Sequence, residues 1–153
     1  MNMNKRLLAW AGAAMLVLQA SSVMADQLQD IQKRGVLRVA VPQDFPPFGS
    51  VGKDLQPEGY DIDMAHYLAD KMKLKLQLVP ITSANRVPYL QTDKVDLVIS
   101  SLSKNAEREK VIDFSNAYAP FFLGVFGAQG DKLSDLKALS GKTIGVTRGA
   151  VED

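Results

Sequence analysis

The chain has 153 residues, enough for one domain or for one and a piece of another. Hydrophobic residues make up 46% and charged residues 23%, and from Asp26 onward sixteen basic residues face seventeen acidic ones. That balance gives no reason to expect nucleic acid or an anionic membrane surface as a partner, and the absence of cysteine excludes disulfides, thiolate zinc sites and thiol nucleophiles.

The first stretch reads as an export signal. Lys5 and Arg6 precede the apolar run from Leu7 to Leu18, polar Gln19, Ser21 and Ser22 follow, and Val23-Met24-Ala25 offers a cleavage site after Ala25. A basic start, a short apolar middle and a small-residue end describe a secretory signal peptide over residues 1–25. The run is well short of the ~20 residues that a membrane-spanning helix needs.

Beyond it, Leu28 to Arg34 is expected to form a short helix ended at Gly35. Val36 to Val41 is a strand by its β-branched content, stopped by Pro42, and a loop rich in Pro, Gly and Asp runs on to Glu58. Ile62, Ala65, Leu68, Ala69 and Met72 recur at helical spacing, with Asp61 as the expected N-cap. Leu74 to Val79 alternates like a strand, Ala84 to Thr92 suits a short helix, and Val95 to Ser100 reads as a buried strand. Asn105 to Arg108 looks like a capped helix start. Val111 to Phe114, Phe121 to Phe126 and Thr143 to Thr147 are further strand candidates, and Leu133 to Leu139 a further helix closed by Gly141. Alternating strands and helices predict an α/β sandwich with a largely parallel sheet. In such sheets ligands bind beyond the carboxyl ends of the strands. Three loops are then candidates for a site, Pro42 to Phe48, Ser100 to Arg108 and Thr147 to Asp153.

In the second of these loops Ser100, Ser101 and Ser103 are followed by Arg108. Hydroxyls and exposed N–H groups at a strand end, beside an Arg, can receive a carboxylate, which the guanidinium grips through two parallel hydrogen bonds. The same residues equally suit a plain turn, with Ser101 and Ser103 satisfying it and Arg108 solvated on the surface. Other constellations fail on their own terms. Asp61 and Asp63 form a D-x-D, but an EF-hand loop would need Gly where His66 stands and Glu where Met72 stands. His66 is the only histidine and lies off the apolar stripe of its helix. The serines lack a G-x-S-x-G elbow, and no glycine motif for phosphate is present. Neither catalytic residues nor a metal or cofactor are expected.

Gly59-Tyr60-Asp61-Ile62-Asp63-Met64 with Leu68-Ala69-Asp70-Lys71-Met72 resembles the signature of the family 3 bacterial extracellular solute-binding proteins, the amino-acid receptors of ABC importers. The run from Val95 to Ser103, then Glu107-Arg108 and Ile112-Asp113-Phe114-Ser115, is similar to that family's central ligand-binding block. Phe45-Pro46-Pro47-Phe48 resembles its first aromatic loop, and the likeness extends from about Val36 to the last residue.

The resemblance implies a periplasmic-binding-protein type II-like α/β fold of two lobes that close on a ligand. It places the N-terminal segment of lobe 1 at residues 26–119 and the crossover and start of lobe 2 at 120–153. It implies that Arg108 holds the ligand's α-carboxylate with help from Ser101, Ser103 and backbone N–H groups. Phe45 and Phe48 would pack on the ligand's apolar part, Ser100 borders the same pocket, and Thr147 opens the first ligand loop of lobe 2. Ala150 and Val151 depart from the Ser or Thr that many relatives carry there, so only their backbone could donate. The segment around Arg86 looks like that of members taking glutamate and aspartate, in which an Arg meets the side-chain carboxylate. The implied function is delivery of a polar, acidic amino acid to an inner-membrane ABC permease, as a monomer in the periplasm. The same resemblance implies that most of lobe 2 and the return segment of lobe 1 lie outside these 153 residues, so that weak binding or none is expected. Its alternatives are a periplasmic dehydratase on the same fold, the sensor domain of a signalling protein, and a truncated remnant without function.

Overall fold

A computed structural model of the chain describes residues 27–131, 133 and 135–153. The expected signal peptide, with its cleavage after Ala25, lies outside the described residues. The chain divides into two units, Met1–Lys33 and Arg34–Asp153. In the first, helix α1 (Gln27–Arg34) carries an Asp30–Lys33 ion pair of 3.7 Å and runs one residue into the second unit. Gly35 follows at φ 70°, a left-handed conformation that ends a helix without a Cβ penalty.

The second unit is organised by β1 (Val36–Pro42), the middle strand of a three-stranded parallel sheet. On one side it pairs with β5 (Lys75–Ile81) along its whole length, from Val36 opposite Lys75 to Pro42 opposite Ile81. On the other side it pairs with β6 (Leu97–Val98) through Val39 and Ala40. Hydrogen bonds from Asp96 N to Arg38 O and from Ile99 N to Ala40 O, both 2.9 Å, carry that contact beyond the two-residue ladder. A central strand is buried on both faces, and Leu37, Val39, Ala40 and Val41 are all 0% exposed. Successive side chains point to opposite faces. Ala40 therefore joins Ile81 and Val95 in a cluster covered by Tyr89 and Leu90, while Leu37, Val39 and Val41 share the other face. Tyr89 and Leu90 belong to the short helix α3 (Arg86–Gln91), and helix α2 (Tyr60–Met72) packs on β1 and β5.

The turns differ from sequence expectation in instructive ways. The stretch read as a loop up to Glu58 contains a small antiparallel meander, β2 (Asp44–Phe45), β3 (Gly49–Val51) and β4 (Pro57–Glu58). Its strands are two or three residues long, too short for any periodicity to register. Asp61 is not the N-cap of α2. That position is Gly59, and the first helical N–H groups bond instead to loop carbonyls, Tyr60 to Pro47 at 3.0 Å and Asp61 to Phe48 at 2.8 Å. Gly59 sits at φ 131° with its Cα against this loop, where a Cβ would lie 2.6 Å from the Phe48 oxygen. The expected helix from Ala84 splits into a 3₁₀ turn, Ser83–Asn85, and α3. The helix start at Asn105 amounts to a 3₁₀ turn, Arg108–Lys110, although Asn105 Oδ1 does accept from the Arg108 N–H at 2.9 Å. The helix expected over 133–139, part of which is not described, shortens to the 3₁₀ turn Leu136–Leu139. Val111 to Phe114, Phe121 to Phe126 and Thr143 to Thr147 form no strand. A β-prone run gains a ladder only from a neighbour, and none of the three finds one among the described residues.

One carboxylate pins the sheet. Asp96, 2% exposed at its side chain, accepts from the Arg38 backbone N–H at 2.8 Å and from Arg38 Nη2 at 2.7 Å, and from the Arg34 guanidinium. Burial alone would raise its pKa, but these hydrogen bonds and the arginine charges bring it below the ordinary 3.8. Stability from this group is thus fully present above the unfolded-state value and is lost as pH falls through the folded one. Asp96→Asn is expected to cost about 2–3 kcal/mol in urea unfolding at neutral pH, since the partner arginines are exposed enough to rehydrate. It should also remove part of the loss of stability that the parent chain shows below the carboxylate range.

Candidate functional site

At the carboxyl end of the sheet the described residues enclose a cavity of about 380 Å³. That volume suits a small ligand. Of the residues singled out from sequence, Phe45, Arg86, Ser100, Ser101, Ser103, Arg108 and Thr147 line it together. They arrive from the meander, α3, the end of the β6 segment, and the far turn. Phe48 does not reach the wall. It stands behind Phe45, the rings stacked with centroids 5.7 Å apart, and borders a second cavity of about 270 Å³. Phe121, which sequence reasoning placed in a strand, completes an aromatic cluster with both rings at 5.9 and 6.1 Å. Asp44, Arg148, Ala150, Val151 and Glu152 also line the main cavity, all from two of the loops expected to hold the site, though Asp44 and Glu152 were not singled out. No motif marks them.

The serines are engaged through their carbonyls. Arg108, half-buried, donates from Nη1 to Ser103 O at 2.7 Å and from Nη2 to Gly149 O at 2.9 Å. Arg86, 5% exposed, donates from Nε to Ser83 O at 3.0 Å and from Nη1 to Ser100 O at 2.9 Å and Ser101 O at 3.3 Å. Its Nη2 meets the same Gly149 oxygen at 2.9 Å. Burial and the nearby Arg108 charge push the Arg86 pKa down, with Glu152 acting the other way. Two cationic side chains that line the cavity therefore share a single oxygen acceptor, Gly149 O. Chemically, two such guanidinia can receive an anion through the donors that the carbonyls leave free.

Behind the serines lies an unannounced buried acid. Asp61, 0% exposed, accepts from the Tyr118 hydroxyl at 2.9 Å through Oδ1 and lies against the Ser101 N–H and hydroxyl. Ser101 itself is held at φ 48°. Burial raises the Asp61 pKa, offset in part by Tyr118 and Ser101, and burial together with the Asp61 charge raises that of Tyr118.

A model of the bacterial extracellular solute-binding proteins, family 3, matches residues 37–140. The chain belongs to that family. Among its relatives, an L-arginine-binding protein of Pseudomonas aeruginosa is 30% identical over 97% of this chain and 55% of its own length. A glutamate/aspartate import solute-binding protein of Salmonella typhimurium is 29% identical over 92% of this chain and 52% of its own. The chain thus spans about half the length of these curated relatives. Among solved structures, an ancestral amino acid-binding protein described as a precursor of cyclohexadienyl dehydratase is 41% identical with a TM-score of 0.59, over 61% of this chain and 41% of that one. The arginine-bound form of domain 1 from TmArgBP is 37% identical with a TM-score of 0.56, over 58% of this chain and 71% of that one. The described residues accordingly form part of the α/β fold of the type II periplasmic amino-acid-binding proteins.

Because the Asp61 pKa lies above its ordinary 3.8, this group's contribution runs opposite to that of Asp96. Stability from it is present at low pH and is lost as pH rises through the folded value. Asp61→Asn, which keeps an acceptor for Tyr118, is expected to gain stability relative to the parent as pH rises from the acid range to neutrality. Urea unfolding across that range checks it, and a variant that loses stability relative to the parent toward neutral pH would sink the account.

Proposed function

We propose that this chain is the ligand-capturing part of an ABC importer for a polar amino acid, exported to the periplasm by cleavage after Ala25 and acting with an inner-membrane permease. The observation that carries the reading is that Arg86 and Arg108 both line one cavity of about 380 Å³ and converge on the Gly149 oxygen. In this reading Arg108 receives the α-carboxylate through the N–H groups that Ser103 O and Gly149 O leave free, Ser101, Ser103 and loop N–H groups assist, and Phe45 packs on the apolar part. The residues to 119 serve as the N-terminal segment of lobe 1 and those from 120 as the crossover and start of lobe 2. The arginine-bound domain 1 supports binding by lobe-one contacts on their own.

The acidic amino acids are the narrower reading. The glutamate/aspartate relative and the place of Arg86 in the cavity wall support it. Against it, four of the five N–H donors of Arg86 are taken by carbonyls, which leaves one for a second carboxylate. A dehydratase reading draws on the ancestral precursor and on Asp44 and Glu152, two carboxyls in the wall that could move a proton.

Calorimetric titration of the chain with L-glutamate, L-aspartate, L-glutamine and L-arginine tests the proposal. At least one is expected to bind weakly, near millimolar or about −4 kcal/mol. Arg108→Ala should weaken every ligand by roughly ten- to a hundredfold, the loss of one charge-assisted contact. No binding by any of the four at millimolar concentration overturns the binding reading. Aromatisation of a cyclohexadienyl acid, followed by ultraviolet absorbance, would favour the enzyme.

A further inference from the structure

We propose that Arg86 is a positioning residue that locks three ligand-facing loops together, rather than an arm that grips a ligand's side-chain carboxylate. The proposal rests on the amino-acid-binding reading above and refines its specificity.

The guanidinium joins segments far apart in the chain. Nε takes the carbonyl of Ser83 after β5, Nη1 takes those of Ser100 and Ser101 after β6, and Nη2 takes that of Gly149. Parallel strands end with carbonyls that no neighbouring strand receives, and a buried carbonyl left unpaired is costly. Guanidinium answers this with a planar fork of five donors, whereas a lysine ammonium offers three from one atom and cannot span the same set. The side chain is also placed for this work, being 5% exposed although α3 begins with it.

The Gly149 turn is seated as a lock would require. Gly149 has φ 80°, and a Cβ there would lie 2.8 Å from Ala84 Cα and 3.1 Å from Ser83 O. The turn is therefore pressed on the Ser83–Ala84 loop at the point where Arg86 binds both. Ala150 N to Thr147 O at 3.1 Å and Gly149 N to Asp153 Oδ2 at 2.9 Å close the turn itself. Arg108 shares the Gly149 oxygen. With four of its five donors on carbonyls, Arg86 is taken up by the loops, and the free donors at this end of the sheet are chiefly those of Arg108. A receptor of that form recognises the α-carboxylate common to all amino acids and carries no second subsite for an acidic side chain.

The test uses Arg86→Lys in the full chain, which keeps the charge an arm would need and removes the fork a lock needs. Amide hydrogen exchange without ligand is expected to accelerate about tenfold or more at residues 100–103 and 147–150, while β1 and β5 keep their protection. Unchanged exchange in both loops overturns the proposal. By calorimetry, L-glutamate and L-glutamine are expected to weaken by the same factor. A loss confined to L-glutamate overturns it and restores the arm. Where the parent chain binds neither, the amino-acid reading has failed by itself, and the exchange result alone decides the role of Arg86. Should Arg86→Lys lose β1 protection as well, Gly149→Ala takes its place. Lifting the turn must then accelerate exchange at residues 100–101, whose carbonyls share the Arg86 Nη1 while Nη2 holds Gly149 O. No change there overturns the lock.

Discussion

The buried carboxylate of Asp96 is the constraint on which the rest of this molecule depends. A strand as short as β6, Leu97–Val98, has little of its own to distinguish one register from the next. Asp96 cannot be buried without donors, and the donors that suit it are the Arg38 backbone and guanidinium at the start of β1 and Arg34 just before it. A slip of one residue would leave that charge unpaired inside the protein, at a cost of several kcal/mol. The register of β6 against β1 follows, and with it the place where the strand runs out, at Ile99 and Ser100.

What happens at that place is a second problem of unpaired polar groups. Beyond Ser100 the chain turns through Ser101 at positive φ, and its carbonyls face the open end of the sheet. Arg86 and Arg108 meet them from α3 and from the turn that follows the serines. The same donors that relieve the strand ends make this end of the sheet attractive to an anion. Structural need and ligand affinity are here two aspects of one electrostatic arrangement, which explains why spacing alone left the role of Arg108 open between a surface residue and a receptor.

Much of the architecture could be read in advance. β-branched runs marked β1 and the buried segment 95–100, and apolar residues at helical spacing marked α2, because each signal arises from a face turned toward a core. The capping of α2 could not be read. Asp61 has the chemistry of an N-cap, but Pro47 and Phe48 carbonyls took the helix N–H groups, which released the acid to the interior beside Tyr118. Phe121 to Phe126 misled for a related reason. Its composition suits a strand, yet extended pairing is a property of two segments, and composition reports on one.

The sequence by itself determined the family, the parallel α/β order and the set of polar residues gathered at one end of the sheet. Those follow from local patterning and from motifs whose order in the chain survives folding. The tertiary structure decided which atoms of those residues face what. Phe48 was set behind Phe45, the serines came to act through carbonyls, and both guanidinia were turned to a glycine 41 residues beyond the nearer arginine. Hydrogen-bond direction depends on where distant loops come to rest, and residue identity alone carries no record of that.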